Sequence, residues 1–140
     1  MAKPSSHSTL YRLIEAGQLA HRALVVPVRE RGLEPGDDAI LFALGRAGMS
    51  ELQLCEELGL PLEHMEPRIQ RLLERELVRR QAVGPELLPG LALTERGIRI
   101  RNVLAEHWAE LEEALLGDLK KKQRKRLSEL LERFTALLRL

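Results

Sequence analysis

The chain has 140 residues, of which 44% are hydrophobic and 31% charged, with a formal net charge of +1. That balance excludes a disordered or fibrous chain, and any polyanion footprint has to come from local clustering of cations. A single cysteine excludes a disulfide within the chain, no apolar run approaches the roughly 20 residues of a membrane span, and the first residues lack a signal-peptide stretch, so a soluble cytoplasmic protein with no membrane partner is expected.

Residues 1 to 8 are small and polar and are expected to fray. From Thr9 to about Arg31, Leu10, Leu13, Ile14, Ala20, Ala23, Leu24 and Val28 recur at helical spacing, and Pro27 is expected to kink the helix near its end. Leu24, Val25 and Val26 are more apolar than one buried face requires, which points to burial on two sides. Glu34-Pro35-Gly36-Asp37 reads as a helix start with proline at the first helical position. Ile40, Leu41, Ala43, Leu44 and Ala47 form its inner face, and Gly48 ends it. Ser50 followed three residues later by Gln53 has the form of a capping box. The helix it opens turns Leu54, Cys55 and Leu58 inward, Gly59 stops it, and Pro61 starts the next. Two helices joined by so short a break make a helix-turn-helix.

After Leu77 the pattern becomes a strand, Val78 to Val83, then a Gly/Pro-bounded loop from Gly84 to Gly90 and a second strand from Leu91 to Leu93. This hairpin is a wing. Thr94 can cap a long helix running to Leu116, ended by Gly117 and Asp118, and the last helix carries Leu127, Leu130, Leu131, Phe134, Leu137 and Leu138 in one apolar stripe. The expected architecture is mainly α with a small β-hairpin wing. One domain, residues 1–140, holds a winged helix-turn-helix at 34–94, flanked by dimerisation helices at 9–33 and 95–140. The flanking helices need cover for their apolar faces. Two copies packed about a two-fold axis supply it, giving a homodimer; the alternative is that these helices fold back on their own chain.

On the second helix of the helix-turn-helix, a step of 100° per residue places Met65, Ile69, Leu72 and Leu73 in one inner sector. His64, Arg68, Arg71 and Arg75 lie within about 60° of one another on a separate face. Such a helix fits the major groove of double-stranded DNA, where arginine can take guanine O6 and N7, or can grip phosphates. The plainer alternative is a solvated face with its arginines paired to neighbours such as Glu74. Glu63 and Glu66 suit the helix dipole but would face phosphates badly, and Pro67 is expected to bend the helix. Arg79 and Arg80 at the base of the wing could hold phosphates.

Other features carry less. The run KKKQRKR at 120–126 reads mainly as a solvated face, Cys55 as a buried thiol and Trp108 as a packing residue. The histidines at 7, 21, 64 and 107 share no ligand spacing, so neither a metal site nor a cofactor is expected, and the absence of nucleophile-elbow, P-loop or dinucleotide motifs argues against an enzyme.

Taken together, GLEPGDDAILFAL (32–44), MSELQLCEELGLPLEHMEPRIQRLLERELVRR (49–80), LALTERG (91–97) and the Leu-rich last helix resemble the MarR family of bacterial transcription regulators, over about Leu24 to Leu138. The resemblance implies a triangular obligate homodimer that binds pseudopalindromic operators and in many members releases DNA when a small, frequently phenolic, effector binds. By position it makes His64, Arg68 and Arg71 recognition-helix contacts and puts Ser50 and Gln53 near the phosphate backbone. It also implies an effector pocket between the DNA-binding and dimerisation parts; His107 and Trp108 lie on the long helix, and His21 and Phe42 could approach them. The wing departs from the family pattern: where an Asp-x-Arg or Arg-Arg element is usual, this chain has GPELLPG, with no basic residue between Gln81 and Leu93. Leu87 and Leu88 at its tip suit a protein contact better than DNA. The function expected is a ligand-responsive, DNA-binding transcriptional repressor, and the rival is a winged-helix protein-interaction module that has lost operator binding.

Overall fold

A computed structural model describes Ser5 and residues 7 to 139; the expected fraying at the N-terminus falls largely outside these. In chain order the elements are α1 (Thr9–Glu30), α2 (Asp37–Ala43), β1 (Met49–Ser50), α3 (Glu51–Leu58), α4 (Leu62–Glu74), β2 (Val78–Val83), β3 (Leu88–Leu93), α5 (Glu95–Leu116) and α6 (Lys121–Leu138). The chain forms two compact units, one up to His107 and the other from Trp108 onward.

The first unit holds the winged helix. Its core is a continuous cluster in which Ile40 and Leu41 of α2, Leu54 of α3, Met65 and Leu72 of α4, Leu77 and Leu91 are fully buried. Ile98 and Leu104 of α5 close it from the chain's later half. Each such side chain contributes roughly 1.5–3 kcal/mol through burial, so this cluster determines how α3 and α4 are set against each other. The sheet is antiparallel in the order β1-β3-β2, with Met49 opposite Leu91 and Val78 opposite Leu93. Gly97 lets the first turn of α5 approach the link between α4 and β2 closely, because a Cβ there would run into the Leu77 carbonyl. Thr94 caps that turn, its hydroxyl accepting from the Gly97 N–H at 3.0 Å and donating to the Glu76 carbonyl at 2.6 Å.

Several local expectations change. Pro35 precedes the N-cap of α2 instead of opening the helix: Gly36, at a φ of 100°, makes the turn, and Asp37 is the first helical residue. α2 stops at Ala43, with Leu44 already extended, five residues before Gly48. Met49 and Ser50 form a short strand where the sequence pattern predicts none. β3 begins at Leu88, so the wing loop is only Gly84 to Leu87. α4 runs unbroken through Pro67. Val28 is the buried residue of α1 among those described, and Val26 is 46% exposed, so the two-sided burial expected at 24–26 is not supplied within this unit.

The second unit comprises the end of α5 and α6. Trp108 is 48% exposed, and the α6 stripe of Leu127, Leu131, Phe134, Leu137 and Leu138 is also open to solvent. The basic run is partly paired: Arg124 with Glu112 at 3.4 Å and Arg126 with Glu129 at 3.7 Å. That fits the solvated face expected of it.

Candidate nucleic-acid interface

The helix-turn-helix is fixed at both ends of α3. The Ser50 hydroxyl accepts from the Gln53 N–H and the Gln53 side-chain oxygen accepts from the Ser50 N–H, each at 3.1 Å, which is the capping box the sequence predicts. Gly59 in the left-handed conformation closes the helix. These bonds engage both side chains in holding the start of α3, and Ser50 is only 2% exposed.

α4 buries Met65, Ile69 and Leu72 and leaves two other arcs. The arc carrying the arginines does not stand as one open stripe. Arg71 Nη2 donates to Asp37 Oδ1 at 3.0 Å, and Asp37 is 2% exposed, its other oxygen accepting from the Glu34 N–H at 3.1 Å. Arg75 donates to the carbonyls of Arg31 and Gly32, the two residues that follow α1. The Arg68 guanidinium lies against Gly36, where a Cβ would collide with it. The three arginines of α4 predicted to face DNA therefore lie along the α1–α2 connection, Arg75 hydrogen-bonded to its start and Arg71 to the first residue of α2. His64 is exposed in the first turn.

The outward arc of α4 carries Glu63, Glu66, Pro67, Gln70 and Glu74, all exposed. Gln70 donates weakly to Glu74 at 3.4 Å. Beside this arc is an open groove of about 430 Å³, lined by Glu51, Glu63, Glu66, Pro67, Ile69, Gln70 and Arg80. Arg80 is paired with Glu51 at 2.9 Å, and Arg79 donates to the Gln81 side chain at 3.3 Å. At the wing tip Leu87 has a φ of 53° and is 71% exposed. A leucine held in the left-handed region with its side chain in water gains nothing from packing to offset that backbone cost.

The arginine arc is visible in the sequence, and what faces it is not. Asp37 stands in the sequence only as part of a helix start, and its partner lies 34 residues away, beyond any periodicity. Among the described residues no group of histidine, cysteine and acidic side chains could hold a metal ion, and no helix is long and apolar enough to cross a membrane.

No protein-family model matches the chain, and no curated protein matches it. Solved structures do. A MarR-family transcriptional regulator from Rhodococcus superposes with a TM-score of 0.72 at 18% identity, covering 95% of this chain and 97% of that one. MepR of S. aureus in its DNA complex gives 0.74 at 16% identity over 94% and 96%. CouR of Rhodococcus jostii bound to p-coumaroyl-CoA gives 0.75 at 18% identity over 95% of each chain. The chain thus has the winged-helix fold of MarR-family regulators, along essentially its whole length.

Proposed function

We propose that the protein is a homodimeric transcriptional regulator that binds double-stranded DNA, a ligand-responsive repressor acting on a pseudopalindromic operator. The observation that carries this reading is the helix-turn-helix itself: α3 capped at both ends, α4 seated on the core with one arc open to solvent, and a hairpin following it, in the same fold as a protein solved on DNA. Direct contacts fall to His64, Arg68 and Gln70 on α4, with Arg79 and Arg80 at phosphates. Ser50 and Gln53 serve by fixing the start of α3, and Arg71 and Arg75 by positioning α4. The exposed apolar residues of α1 (Leu10, Leu13, Ile14, Leu19) and of α6 support a homodimer in which a second copy covers them. The acyl-CoA complex of CouR supports a small-molecule effector.

The test is fluorescence anisotropy of the purified protein against duplex from its own upstream region and a scrambled duplex, across salt concentrations. Selective binding that weakens steeply with salt is expected. Equal, weak binding to both duplexes would reject the reading. A second reading, a protein-interaction module, draws on a specific observation: the outward arc of α4 holds three glutamates and the wing tip presents Leu87 with no cation among the loop residues. It predicts the rejecting result together with a stable complex with a protein partner that is lost on Leu87→Asp.

A further inference from the structure

Arg71 and Arg75 sit one helical turn apart on α4 and reach two different places on the same short connection. Arg75 takes the carbonyls of Arg31 and Gly32, where α1 ends. Arg71 takes the carboxylate of Asp37, where α2 begins. Both ends of the α1–α2 connection are thereby tied to the helix-turn-helix by one helix face. The outer parts of both ties reach solvent, the Arg71 side chain being 42% exposed, but their inner parts do not: Asp37 is buried, and the Nε atoms of both arginines are buried with no hydrogen-bond partner among the described residues. Desolvating those groups is unfavourable, and the Nη bonds have to offset it. α1 meanwhile has little else to hold it to the core within this unit: Val28 is its one buried residue among those described.

We infer that Asp37, Arg71 and Arg75 form a clasp that makes α4 move as one body with the end of α1, so that any displacement of α1 resets the arc that α4 turns outward. The coupling is reciprocal, as any linkage between two sites must be: whatever seats α4 also biases α1. The clasp stands on geometry alone; its consequence for operator choice rests on the DNA-binding reading above.

Amide hydrogen exchange on the full chain tests the clasp without DNA, using Arg71→Met, Arg75→Met and the double variant. Arg75→Met leaves no acid unpaired, so it remains informative if Arg71→Met fails to fold. Each single variant is expected to speed exchange about tenfold or more at residues 31–38 and 62–75, with the wing at 78–93 within about twofold of the parent. The double variant is expected to add little to either single one, because one coupled device has been opened. A rise spread evenly over the wing and α5, or single effects that simply multiply, would overturn the inference and leave two ordinary stabilising contacts. A separate anisotropy titration of Arg75→Met ties the clasp to DNA. Loss of selectivity with an unchanged salt slope marks positioning, whereas a slope reduced by about one unit marks a direct phosphate contact instead.

Discussion

The winged-helix core and the apolar faces of α1 and α6 are written in the same residues and end in opposite surroundings. Ile40, Leu41, Leu54 and Leu72 are fully buried by their own chain, whereas Leu10 of α1 and Leu137 of α6 are 65% and 56% exposed. Both sets repeat at helical spacing, so the pattern marks which face is apolar and says nothing about what covers it. The core is therefore complete in one chain. The terminal helices hold apolar surface that a monomer leaves in water, and this supports the proposed second copy.

That contrast can be broken at either end. Leu41→Ala removes a fully buried side chain and is expected to cost about 2–5 kcal/mol in urea unfolding; a loss below about 1 kcal/mol would mean the core is looser than its burial indicates. Phe134→Asp places a charge in the α6 stripe. It is expected to turn dimer into monomer in sedimentation velocity at micromolar concentration, an effect of about 2 kcal/mol or more on association. A variant that stays dimeric would move the interface off α6. Arg68→Ala should weaken binding to the selected duplex by about 1–3 kcal/mol if the guanidinium reads a base, and unchanged affinity and sequence preference would remove it from the interface. The smallest effect is expected at the wing tip. Leu87→Gly relieves a left-handed leucine, and the unfolding free energy should rise by up to about 1 kcal/mol, since the exposed side chain surrenders little burial. A fall in stability would show that Leu87 packs after all.

Legibility in the sequence followed the range of the interactions. The Ser50–Gln53 capping box, the Gly59 stop and the Thr94 cap on Gly97 are made by residues within four positions of one another, and each stands where the sequence places it. Strand β1 has two residues and exists because β3 lies beside it, so no period reveals it. The wing loop came out too long because Pro89 and Gly90 resemble turn residues. Gly90 in fact pairs with both Ser50 and Gln81, and Pro89 lies opposite Ala82. The arginine arc was visible as an angle on a wheel. That its members lie against Asp37 and the end of α1 depends on the tertiary fold, and so the outward arc of α4 proved to be the acidic one.

If a dimer of this chain reads double-stranded DNA by sequence, selection of bound duplexes from a random library shows it without knowledge of the operator. Two related half-sites about one helical turn apart, roughly 10 bp centre to centre, are the predicted outcome. A final pool no different in sequence from the starting one would contradict it.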